Sequence, residues 1–148
     1  MKNKHILTGA LATLGIFIGS AQDIDTNTVP ANLKDTFEQS YPTANDVEWE
    51  KEGTSYKVEF EINAQDHEIW YATDGTTTKT EQELTEADLP QAIRTAITNT
   101  YAGYKVDEVE KTTENGSTTY EVELKKGWIN EKDVVFNADG TVLREKND

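Results

Sequence analysis

A chain of 148 residues with no cysteine, 14 basic and 28 acidic side chains and a formal charge of −14 excludes a disulfide scaffold, thiolate catalysis and a cysteine-ligated zinc site. The charge also sets the chain against nucleic acid and anionic membrane surfaces as partners. Its length suits one domain with its own core rather than two large ones.

Lys2 and Lys4 precede an apolar run from Ile6 to Ile18, and Gly19-Ser20-Ala21 places small residues at both positions a signal peptidase inspects. This is the layout of a secretory signal peptide, residues 1–21, cleaved after Ala21. The alternative, a retained anchor, needs about 18 to 20 apolar residues and suffers from the glycines at 9, 15 and 19. Cleavage removes two lysines and deepens the charge to −16. The expected product, residues 22–148, is soluble, without stable membrane insertion, and destined for the periplasm or the exterior. Gln22 to Thr28, short, polar and acidic, reads as a disordered lead-in.

The remainder is one pattern written twice. Pro30 to Tyr41 and Pro90 to Tyr101 each open with proline and space apolar residues for a short amphipathic helix. Leu33, Phe37 and Tyr41 match Ile93, Ile97 and Tyr101 at an offset of 60. Thr85 or Asp88 is placed to cap the second helix and Gly103 to stop it. A strand follows in each copy, Asn45 to Lys51 against Lys105 to Lys111. Then Tyr56, Val58, Phe60 and Ile62 alternate with charged residues, as do Tyr120, Val122 and Leu124. The offset is now 64, which predicts a longer hairpin loop at Thr112 to Thr118 in the second copy. Third strands at Glu68 to Thr73 and Asp133 to Ala138 run into Asp74-Gly75-Thr76 and Asp139-Gly140-Thr141, matching hairpin turns before a last strand. The fold expected is α+β, with repeats at about 30–84 and 90–146. Their strands join in one antiparallel sheet of up to eight strands, with two helices on one face and a solvated acidic surface on the other.

The paired helices, the Val47-Glu-Trp-Glu and Val109-Glu-Lys strands, the Tyr56-Lys-Val-Glu-Phe and Tyr120-Glu-Val-Glu-Leu strands and the paired Asp-Gly-Thr turns together resemble the PepSY-like family of exported bacterial proteins. Some of its members are described as similar in fold to β-lactamase-inhibitor proteins. The resemblance spans about Pro30 to Lys146. It implies a duplicated helix-plus-sheet module with a concave sheet face, in a family whose members mostly have no assigned activity.

Chemistry-bearing patterns are few. Beyond the export segment the one histidine is His67, between Asp66 and Glu68, and it reads as an exposed loop residue without a serine motif to serve. Asn137 to Thr141 has the middle of a calcium loop, but Val135 and Lys146 stand where the first and twelfth ligands belong, so it reads as a turn. No cofactor or metal is expected. Glu48, Glu50, Glu59, Glu61, Glu110, Glu121 and Glu123 oppose apolar positions, which predicts that several of them share one exposed sheet face. That face either serves solubility alone or attracts a basic partner or divalent cations. Trp49, Tyr56, Phe60 and Tyr71 fit the buried phase. Trp70 falls out of phase, and Trp128 sits in Lys125-Lys-Gly-Trp-Ile-Asn130, a basic and aromatic hairpin loop, so both are candidate contact residues.

The function expected is a non-enzymatic exported binding or regulatory protein. It would recognise a protein, peptide or envelope component through the sheet face or hairpin loops, with Trp70, Trp128, Glu59, Glu61, Glu121 and Glu123 at the interface. The alternatives are a carboxylate-dependent hydrolase, which needs a buried acid pair in a deep cleft, and an envelope structural or assembly protein. The residues do not set the oligomeric state.

Overall fold

The computed structural model describes residues 22–147, so the expected export segment, residues 1–21, lies outside the described residues. The chain runs β1 (Gln22–Asp23), α1 (Ala31–Ser40), β2 (Asn45–Glu52), β3 (Ser55–Ile62), β4 (Gln65–Tyr71), β5 (Thr77–Glu83), α2 (Gln91–Thr100), β6 (Lys105–Glu114), β7 (Ser117–Lys126), β8 (Asn130–Asn137) and β9 (Val142–Asn147). All nine strands form one sheet in chain order, each pair antiparallel. The β5–β6 pair fuses the two repeats, so neither leaves an inner edge exposed.

The helices arise as the spacing predicts. Each starts one residue after a proline at φ near −50°, and each ends at a tyrosine whose N–H reaches back to Phe37 or Ile97 at 2.8 Å. Leu33 and Phe37 of α1 lie on Trp49, Val58, Phe60, Ile69 and Tyr71. Ile93 and Ile97 of α2 lie on Val109, Val122, Leu124, Val134 and Phe136. The sheet residues in these two cores are the alternating apolar positions, all turned to one face, as a period of two requires.

Four expectations change in detail. The first is the lead-in, which is ordered: Gln22 pairs with Lys51 and Asp23 with Glu50, and a 3-10 turn at Thr26–Thr28 follows. The cause is a further stretch of repeat. Gln22-Asp-Ile24 sits on β2 as Gln82-Glu-Leu84 sits on β6, with Ile24 N–H donating to Trp49 at 3.0 Å and Leu84 N–H to Val109 at 2.9 Å. This supplies the ninth strand.

Second, the second copy has no longer loop. β6 and β7 turn at Asn115 and Gly116, both at positive φ, and the added residues lengthen the two strands instead. An Asn-Gly pair satisfies a two-residue hairpin, so the ladder extends to the turn. Third, Thr85 and Asp88 do not cap α2. The Asp88 carboxylate accepts from the Thr85 N–H at 3.0 Å and its hydroxyl at 2.6 Å, closing a 3-10 turn one step before Pro90. Fourth, His67 is neither in a loop nor exposed. It lies on β4 opposite Phe60 and stacks on that ring at 5.1 Å, and burial lowers its pKa.

Candidate binding face

The sheet face away from the helices is crossed by two rows of facing residues. One runs Glu50, Lys57, Trp70, Lys79 and Glu114 across β2 to β6, and its counterpart in the second repeat runs Glu110, Glu121, Val135 and Arg144 across β6 to β9. The other runs Glu48, Glu59, Glu68 and Glu81, matched by Glu108, Glu123, Asp133 and Lys146. The rows bring the expected residues Trp70, Glu59, Glu121 and Glu123 to this face. Glu61 joins them one step further along β3, opposite Asp66.

In the first repeat the acids are answered by lysine. Lys57 Nζ stands 3.0 Å from Glu50 and 2.5 Å from Glu59, with Glu68 at 3.9 Å. Burial works against that ammonium, but its hydrogen bonds to Glu59 and Glu50 outweigh burial and raise its pKa. Trp70 is held by its neighbours: its indole N–H donates to Glu52 at 3.1 Å, and Lys79 and Lys57 stand 4.2 and 5.8 Å from its ring centre. These are cation–π distances.

The second repeat places Glu121 where the first has Lys57. Glu110 is only 5% exposed, and burial, reinforced by Glu81 and Glu121, pushes its carboxyl up to about 7. Burial also raises Glu121 against the opposing pull of Arg144, 3.2 Å away, and raises Glu108 with Glu123 adding to it. Glu68 in the first repeat is pushed to about 7 by burial despite Lys57. Glu121 Oε2 is closed off from solvent and has no hydrogen-bond partner among the described residues. This face is therefore acidic but not simply solvated, because long side chains on strands less than 5 Å apart shield one another.

Glu123, Glu131 and Asp133 bring one carboxylate oxygen each within 4.8 Å of one another and have the ligand chemistry for a divalent cation. The Lys125 ammonium already stands against Glu123 and 3.7 Å from Glu131, supplying positive charge to the same group.

Trp128 lies away from the rows, at the tip between β7 and β8, fully exposed, and Ile129 beside it is 87% exposed. The equivalent tip of the first repeat is Asn63-Ala64. Sequence reasoning picked out Trp128 but passed over Ile129, the burial of Glu110 and the lysine stack on Trp70. Setting Lys57 against Glu121 and Trp70 against Val135 in the duplicated pattern was the available signal.

A duplicated helix-plus-sheet module with one helix-covered and one charged face defines the class. The chain belongs to the family described as "Putative beta-lactamase-inhibitor-like, PepSY-like", whose model matches residues 18–65 and 55–144. It is similar in fold to a DUF2874 family protein from Bacteroides uniformis (22% identity, 80% of this chain and 88% of that one, TM-score 0.67). It is also similar to a BLIP-like protein from Bacteroides fragilis (27% identity, 80% and 85%, TM-score 0.64) and to a protein from Bacteroides eggerthii described as periplasmic (20% identity, 80% and 88%, TM-score 0.68). None of the curated proteins matches the chain. Among the described residues no helix is long and apolar enough to cross a membrane.

Proposed function

We propose that this chain is an exported, non-enzymatic binding protein of the bacterial envelope that engages a protein or peptide through the β7–β8 tip and the charged sheet face. The observation that carries the reading is the tip itself. Trp128 and Ile129 are presented to solvent at a hairpin tip, where the first repeat keeps Asn63-Ala64. A bare tryptophan gains nothing for folding and offers large contact area for little ordering cost. Trp70, Glu59, Glu61, Glu121 and Glu123 extend the surface as a charged rim, suited to orienting a partner more than to holding it. Export rests on the segment ending at Ala21 and on the periplasmic description of the Bacteroides eggerthii relative. The BLIP-like description of the Bacteroides fragilis relative supports inhibition of an exported enzyme as one form of such binding.

The test is affinity capture of envelope and culture-fluid proteins on the exported chain, followed by direct binding of each purified candidate. Trp128→Ala should weaken a true partner's binding by about tenfold or more without altering the circular-dichroism spectrum. Equal retention by Trp128→Ala and by the Trp70→Ala, Trp128→Ala double variant would overturn this assignment of the surface.

A further inference from the structure

The two repeats end in the same strand but in different surroundings. β5 and β9 share a register irregularity one step after their first pair, between Trp70 and Tyr71 on one partner strand and between Val135 and Phe136 on the other. This aligns Lys79 with Arg144, Glu81 with Lys146 and Gln82 with Asn147. The outer edge of β5 is filled by β6, with Lys79 facing Glu114, Glu81 facing Thr112 and Gln82 facing Lys111. Among the described residues no strand fills the same edge of β9. All of β9 except Arg144 is exposed there, including Val142 at 41% and Leu143 at 55%. An unpaired edge carrying apolar residues presents a row of free backbone donors and acceptors to any extended chain.

We propose that the outer edge of β9 is a strand-addition site that takes an extended segment of a partner polypeptide, antiparallel to β9, in the position β6 holds on β5. The main chain supplies affinity and alternate side chains supply selectivity. The segment that fits carries an acidic residue facing Arg144, as Glu114 faces Lys79. Arg144 already pairs with Glu121 at 3.2 Å, and Lys79 likewise pairs with Glu81 at 2.5 Å while facing Glu114, so the existing ion pair is no obstacle.

A second copy of this chain fits poorly. Its counterpart to β6 is β2, whose outer edge already receives Gln22 and Asp23 at Lys51 and Glu50 and the Ile24 N–H at Trp49. Two copies also bring together two formal charges of −14.

The probe is a synthetic peptide with the sequence of residues 105–116, titrated into the isotope-labelled exported chain while amide shifts and hydrogen exchange are followed. Exchange of amides within 142–147 should slow by about tenfold at saturation. The peptide carrying Glu114→Lys, which sets lysine against Arg144, should bind about fivefold more weakly. The proposal fails if the β9 amides stay unchanged up to about 1 mM peptide, or if the peptide perturbs β5 and β6 by displacing the chain's own strand. It also fails if the free chain dimerises with the same β9 protection, since the edge then belongs to a second copy. None of these outcomes bears on Trp128, so this proposal and the proposed function stand or fall separately.

Discussion

At three matching core positions the first repeat packs rings where the second packs branched aliphatics, yet both hold the same backbone. Phe37 packs edge-on against Trp49 and Phe60 at 5.7 and 4.9 Å between ring centres, while the matching positions of the second repeat are Ile97, Val109 and Leu124. On the charged face the contrast is one of sign: Lys57 faces Glu50, whereas Glu121 faces Glu110. The comparison teaches that alternation and turn chemistry define the fold. The filling of each face is left free for other purposes.

The largest expected effect comes from breaking the aromatic core. Trp49→Ala should cost about 3–5 kcal/mol, and Val109→Ala, the same position in the second repeat, less than half of that. Urea unfolding followed by tryptophan fluorescence and far-ultraviolet circular dichroism would measure both. Because β5–β6 joins the repeats, the two probes should report one transition. Separate midpoints would mean that each core folds as its own unit.

A second contrast lies in the matching turns. Gly75 and Gly140 both have positive φ, at 92° and 86°, so alanine strains either. A Cβ at Gly75 would meet only side chains at 3.7 Å or more, whereas one at Gly140 would lie 2.8 Å from the Ala92 carbonyl oxygen, against the backbone of α2. Gly140→Ala should therefore cost about 2–3 kcal/mol and Gly75→Ala about 1. Equal losses would show that α2 shifts freely to accept the methyl group.

Most of this architecture was legible from the residues. Proline before each helix, two-residue alternation and the paired Asp-Gly turns locate both helices and eight of the strands. The missing strand, Gln22–Asp23, is too short and polar to show periodicity, and it emerges only when Gln22-Asp-Ile24 is set beside Gln82-Glu-Leu84. His67 falls one residue before the third strand expected at Glu68 to Thr73, and its place opposite Phe60 depends on strand register. The charged face was legible in its membership but not in its burial. Whether a glutamate on a sheet is wet depends on what stands beside it on the next strand, and that is a property of pairing.

The charge contrast yields the most discriminating effect. Glu110 is raised to about 7 in the folded chain, above its unfolded value, so the folded state holds the proton more tightly. The sign follows: between pH 4.5 and 7 the folded state binds more protons than the unfolded, and stability falls as pH rises through that window. Glu68 contributes in the same direction. Glu110→Gln should flatten part of this slope and stabilise the chain by about 1–2 kcal/mol at pH 8, with little change at pH 4. Glu121→Lys, which gives the second repeat the Lys57 arrangement, should do the same without removing Glu110, by placing a cation where Glu110 now faces a carboxylate. Chemical denaturation across pH 4 to 8 would test both. If Glu121→Lys left the slope of the parent chain intact, burial and the remaining neighbours, Glu81 first among them, would account for Glu110 without Glu121.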